Sequence, residues 1–171
     1  LGTEIANAIV AERKARGQFI SIANFLERIK HKNLNKKSLE ALIRAGAMDA
    51  LGEERGKLLY NLDNLLAYHQ NVVKAGDNQS SLFILMSDQS SVPQLKLKDC
   101  EPATQKEKLA WEKELLGLYV SGHPLDVFRE KFAKNENTIK KIRESPEGVS
   151  VVAGGLLEEI KTIITKKGDT M

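Results

Sequence analysis

Ser21 is followed by apolar residues at Ile22, Phe25, Leu26 and Ile29, the i, i+3, i+4, i+7 spacing of one face of an α-helix. A serine just before such a run can accept the first free backbone N–H groups, so the start and the buried face of a helix are both legible here. Ile20 is placed to staple onto Phe25 across that cap. The same pattern recurs on both sides. Thr3 can cap a helix that carries Ile5, Ala6, Ile9, Val10 and Arg13 and is stopped by Gly17. Asn35 can cap another, with Leu39, Leu42 and Ile43 on one face and Gly46 just past its end. From about Glu53 to Lys74, one stripe of Leu58, Leu62, Leu65, Leu66, Val72 and Val73 predicts a single long helix before Gly76.

Four helices in the first 76 residues make the fold mostly α, and composition agrees: aromatic residues are 5% of 171 and Gly plus Pro number 16, too few for an all-β chain. A hydrophobic content of 42% is enough for a real core. One cysteine, Cys100, excludes a disulfide framework and a thiolate zinc site. His31, His69 and His123 lack ligand spacing, so no cofactor or metal is expected. There is no apolar run of about 18 residues and no signal-peptide pattern, so the chain reads as soluble and cytosolic, without a membrane partner.

Residues 77–103 change character. They hold Ser80, Ser81, Ser87, Ser90, Ser91, Pro93 and Pro102 with no sustained period, and read as a linker or loop. Thr104 and Glu107 then form a capping box for a helix to about Val120 with Leu109, Trp111, Leu115, Leu116, Leu118 and Tyr119 along it. Ser121-Gly122-His123-Pro124 breaks it, and a short helix follows from Leu125 to Phe132. Val149 to Ile164 mixes β-branched residues with Gly154 and Gly155 and predicts a bulged strand and the start of a second. Leu1 in place of an initiator Met, and a turn at Lys167-Gly168-Asp169 with almost no return strand, lead us to expect a piece of a longer protein.

Charge is concentrated at one end. Residues 1–46 hold nine Lys and Arg against four Glu, a net of +5 in a chain whose total is +3. Such a local basic field is suited to phosphate, although solvated helix faces give the same count. Gly2-Thr3-Glu4-Ile5-Ala6 followed by Ile9 and Arg13 fits the second half of a helix-hairpin-helix, whose glycine lets backbone N–H groups approach a phosphate at a helix N-terminus. A second helix pair is joined by Lys30, His31, Lys32, Asn33, Leu34, Asn35, Lys36 and Lys37. Gly2, Thr3, Glu4, Lys14, Arg16, Lys30, Lys32, Asn33, Leu34, Asn35, Lys36 and Lys37 are therefore the candidate DNA contacts, made to backbone and not to bases. Gln79-Ser80-Ser81-Leu82-Phe83 is a second candidate site. A polar rim contact and a Leu-Phe pair suit a short motif that fills an apolar pocket, and the same residues could instead tuck onto the chain's own core. It resembles the pentapeptide with which bacterial replication proteins grip the sliding clamp.

Several blocks strengthen that resemblance: Gly17-Gln18-Phe19 to Phe25, Leu34-Asn35-Lys36 to Glu40, Leu42 to Asp49, and Trp111 through Gly122-His123-Pro124-Leu125-Asp126. Over nearly its whole length the chain resembles the bacterial DNA polymerase III alpha subunits, the C-family replicative polymerases. The resemblance implies a segment that follows the fingers. Residues 1–76 would be a tandem helix-hairpin-helix region and 77–103 a loop with the clamp motif Gln79, Ser80, Ser81, Leu82 and Phe83. Residues 104–148 would be a helical connector, and 149–171 the first strands of a β-barrel OB domain. It implies that the catalytic carboxylates lie outside this segment, along with the Mg²⁺ they would use and the leading glycine of the first hairpin. The implied partners are duplex DNA, the sliding clamp and, through the parent chain, other replicase subunits. The alternative is a purely structural connector between fingers and OB domain. An independent catalytic domain is disfavoured, since no acid, base, nucleophile or metal ligands cluster in the sequence.

Overall fold

The computed structural model describes residues 2–77, 94–134 and 138–162. It has two compact units, the first ending at Ser121 and the second beginning at Gly122. The first unit is helical: α1 (Thr3–Arg16), α2 (Ile22–Arg28), α3 (Lys36–Arg44), a 3₁₀ turn (Asp49–Leu51), α4 (Arg55–Tyr60), α5 (Leu62–Asp77) and α6 (Gln105–Leu116). Its core gathers Ile5 from α1, Phe25 and Leu26 from α2, Leu39 and Ile43 from α3, and Leu58, Leu62 and Leu65 from α4 and α5. The faces read from spacing in α2 and α3 are buried, whereas Val10 on the expected face of α1 is exposed.

The predicted caps at Ser21, Asn35 and Thr104 all form. Ser21 accepts from the Asn24 N–H, while Asn35 with Ser38 and Thr104 with Glu107 make capping boxes. Each such cap stabilises its helix by about 1 kcal/mol. Two local expectations need correction. Thr3 is the first helical residue and Gly2 the cap, with no side-chain cap bond. Ile20 is 81% exposed and makes no staple. Phe19 takes its place, meeting Phe25 edge-on with ring centroids 5.1 Å apart.

The single helix expected over 53–74 is two, parted at Asn61, which is buried. Its Nδ2 donates to the carbonyl oxygens of Lys57 (2.9 Å) and Lys98 (2.8 Å), and its Oδ1 accepts from the Lys98 N–H (2.8 Å). The extended residues 94–103 are thereby strapped along the helices, with Leu95 and Leu97 packed on the core. Gly56 allows the strap to come close, since a Cβ there would lie 2.7 Å from the Ala103 nitrogen.

Helix α6 stops at Leu116, short of the expected Val120, because Gly117 adopts the left-handed conformation (φ 75°). Leu115, Leu116 and Leu118 are exposed, and the buried residues of this helix are Leu109 and, unexpectedly, Glu112. In the second unit His123 caps a 3₁₀ segment (Pro124–Phe128), followed by α7 (Arg129–Ala133) and α8 (Ile139–Glu144). The strand expected from Val149 is not present among the described residues: 149–162 carry neither helix nor strand and are exposed. A strand exists only when paired, and no described segment pairs with this one. No helix among the described residues is long and apolar enough to cross a membrane.

Candidate nucleic-acid interface

The turn between α2 and α3 is built from its own side chains. Leu34 is only 5% exposed and anchors the turn in the core, so it can offer a ligand only its backbone. The His31 Nδ1 accepts from the Asn33 N–H (3.1 Å), and the Leu34 N–H donates to the His31 carbonyl (2.9 Å). The Ser38 hydroxyl bonds to the Asn33 carbonyl oxygen (2.8 Å). A turn held this way presents Lys30, Lys32, Lys36 and Lys37, all exposed, on a fixed backbone.

The α3 N-terminus is electrostatically unusual. Its first turn contains no acid, and Lys36 and Lys37 occupy the end of the helix that already carries partial positive charge. Lysine there destabilises the helix by about 0.3–1 kcal/mol per residue. Asp63 relieves one of the two: its carboxylate accepts from Lys36 Nζ at 2.8 Å and raises the Lys36 pKa. Lys30, Lys32 and Lys37 form no ion pair with a described residue.

Helix α1 brings its own N-terminus to the same turn. Asn33 Nδ2 donates to Glu4 Oε2 at 2.8 Å, and a cleft of about 450 Å³ lies between Gly2 and Ile5 on one side and Asn33, Asn35 and Lys37 on the other. Gly2 has an ordinary extended backbone (φ −73°), and a Cβ added there would meet nothing within 4 Å. The chain itself does not need glycine at that point, and the missing side chain leaves room for a molecule from outside. Thr3 is exposed beside it. Glu4 sits in the first turn of α1, where a carboxylate opposes phosphate.

Other candidates are not brought to this cleft. Lys14 and Arg16 stand at the far end of α1, about 18 to 21 Å along the helix axis from Gly2, and Arg16 is paired with Glu12. Two further members of the basic count have structural work. Arg28 donates to Glu12 Oε1 (3.0 Å) and to the carbonyls of Glu12, Gly17 and Gln18, tying α2 to the end of α1. Arg44 pairs with Glu40 and Glu114 and lies over the Trp111 ring. The motif Gln79, Ser80, Ser81, Leu82 and Phe83 falls outside the described residues.

Sequence reading missed the polar centre of the unit. Arg55 Nη1 donates to Glu112 Oε1 at 2.8 Å, and Arg55 also reaches Asp49 (2.6 Å) and the Arg44 carbonyl (3.3 Å). No group of three or more His, Cys, Asp or Glu able to hold a metal ion occurs among the described residues.

Helices α2 and α3, joined by a polar, lysine-bearing turn, have the form of a helix-hairpin-helix, and the helix-hairpin-helix motif family matches residues 1–58. Over nearly all its length the chain is similar to DNA polymerase III alpha subunits. It is 34% identical to that of Neisseria meningitidis serogroup B over 167 residues, 98% of this chain and 14% of that one. To the Thermus aquaticus subunit it is 34% identical over 175 aligned residues, covering all of this chain and 14% of the relative. The Bacillus subtilis subunit is 36% identical over 172, again all of this chain and 15% of the relative. The chain thus corresponds to a segment of the DNA polymerase III alpha subunits, and spans about one seventh of the length of these relatives.

Proposed function

We propose that this chain is a non-catalytic accessory segment of a replicative DNA polymerase, holding duplex DNA by its backbone without reading bases. The observation that supports this most is the pair Lys36 and Lys37 at the positive end of α3, with no acid in that turn. A local choice that works against helix stability is expected where a site has been built for a ligand. A phosphate at that end would be met by the free N–H groups of the first turn and by the lysine side chains. The Gly2 cleft offers a second approach alongside.

In this reading polymerisation, with its Mg²⁺, belongs to the rest of the parent polymerase, and the segment works in the bacterial cytoplasm. Gln79 to Phe83 tethers the parent to the sliding clamp, with Leu82 and Phe83 as apolar anchors and Gln79 as the rim contact. Other replicase subunits are reached through the parent chain. Residues 149–171 open the OB β-barrel; the support is their β-branched composition around Gly154 and Gly155 together with the family resemblance.

One set of observations favours a structural connector instead: Arg28 and Arg44, counted in the basic patch, are committed to internal contacts. Charge reversal at Lys32 and Lys37 separates the two readings. Duplex affinity measured by fluorescence anisotropy should fall for every sequence alike. Affinity left intact in the double variant would leave only the connector.

A further inference from the structure

Besides the Gly2 cleft, the 30–37 turn borders a groove of about 560 Å³ that runs between Lys30, Lys32 and Lys36 of the turn and Leu66, Val73 and Lys74 of α5. A site of that size can take a nucleotide-sized group. None of its lining residues is acidic, and Lys30, Lys32 and Lys74 form no ion pair with a described residue. Two hydrogen-bonding groups also face it, Gln70 and His69. His69 is 5% exposed, with Nδ1 3.0 Å from the Leu26 carbonyl oxygen. A carbonyl only accepts, so Nδ1 carries the proton and Nε2 is the nitrogen left for a ligand.

Cationic rims alone would suit any phosphate, but this groove also has an apolar wall. A duplex turns its phosphates and sugars outward and stacks its bases away from such a surface, so Leu66 and Val73 would meet nothing complementary. A single strand exposes its bases, whose faces pack on apolar and imidazole groups while the flanking phosphates take the lysines. The geometry points to a binding site for single-stranded nucleic acid, with a base against Leu66 and Val73 and phosphates on Lys32 and Lys74. The inference rests on the reading of the turn as a nucleic-acid interface and extends it to α5, where Lys74 lies outside the basic end of the sequence.

The test compares a dye-labelled oligothymidylate with a blunt duplex of equal length, by fluorescence anisotropy on the whole chain. The variants are Val73→Ser with Lys74→Glu, and separately Lys37→Glu, at a residue that lines the Gly2 cleft and not this groove. Neither Val73 nor Lys74 belongs to the buried core, and an unchanged thermal melt verifies folding. The groove variant should weaken oligothymidylate by about tenfold or more and leave the duplex within about twofold. Equal losses for both ligands would make the groove part of a duplex footprint and overturn the inference, as would oligothymidylate binding that ignores the groove variant. Polyglutamate displacing the labelled strand as well as unlabelled oligothymidylate would also overturn it, in favour of an acidic peptide. A duplex unaffected by Lys37→Glu counts only against the turn reading, because single-strand binding is scored on a different variant and ligand.

Discussion

Arg55 and Glu112 lie 57 residues apart in sequence and meet at 2.8 Å with 4% and 0% of their side chains exposed. The other carboxylate oxygen of Glu112 accepts the N–H groups of Val120 (2.7 Å) and Ser121 (2.9 Å), so one residue holds α4 to α6 and fixes the chain where it leaves the first unit. Gly46 makes room for the pair: it has φ 79°, and a Cβ there would lie 2.3 Å from Arg55 Nη2.

Truncating Glu112 to Ala should therefore cost about 3–5 kcal/mol in urea denaturation, because it strips a buried guanidinium of a partner and orphans two N–H groups. Replacing both residues, as Arg55→Met with Glu112→Leu, should cost less than Glu112→Ala alone. Burial pushes the Glu112 carboxyl up, but the Ser121 and Val120 N–H groups and Arg55 outweigh it and hold the pKa at about 2, against 4.5 ordinarily. With the folded value depressed, its stabilisation is complete above about pH 4.5 and is lost as pH falls towards 2. Denaturation midpoints of Glu112→Gln and wild type should converge across that window.

Asn61→Ala should release the strap. The three bonds to Lys57 and Lys98 vanish, leaving the Lys98 N–H without its described acceptor, at a cost of about 1–3 kcal/mol. Hydrogen exchange at the Lys98 amide should speed up, while exchange in α2 and α3 follows only the global loss.

What could be read in the sequence was what local chemistry decides. Ser21, Asn35 and Thr104 cap helices through residues three positions away, and the buried faces of α2 and α3 follow from spacing alone. Gly117 is also a readable stop, masked in the pattern by apolar residues that run on to Val120. Asn61 looks like any polar residue on a helix, and only the return of the chain at Lys98 gives it a role. Arg55 and Glu112 carry no local mark either; each reads as a surface charge until the tertiary fold brings them together. At the candidate interface, the lysines of the turn were legible as charge. Which of them are free of ion pairs depended on Asp63 and on the contacts of Arg28 and Arg44.

Tyr68 should titrate late. Burial, then its bond to the Glu27 carboxylate, raises its pKa from 10 to about 12. A raised folded value means that its contribution to stability is intact below pH 10 and fades as pH climbs towards 12. Ultraviolet titration should show a phenol ionising late, at about pH 12, and Tyr68→Phe should remove that late phase.

For the clamp, Phe83→Ala should weaken binding to purified sliding clamp by about thirtyfold, or about 2 kcal/mol, from a roughly micromolar starting affinity. Ser80→Ala should change it little. A Phe83→Ala variant with a lowered melting temperature and unaltered clamp affinity would assign the residue to packing.

The salt dependence of duplex binding tests the central claim most directly. If Lys30, Lys32, Lys36 and Lys37 neutralise about four phosphates, log K should fall with log salt at a slope of about −3 to −4, equally for unrelated sequences. Lys37→Glu should flatten that slope by about 1 and weaken all sequences together. Duplex affinity that is flat with salt, or a slope untouched by Lys37→Glu, would contradict the assignment of the turn between α2 and α3 as the DNA-holding surface.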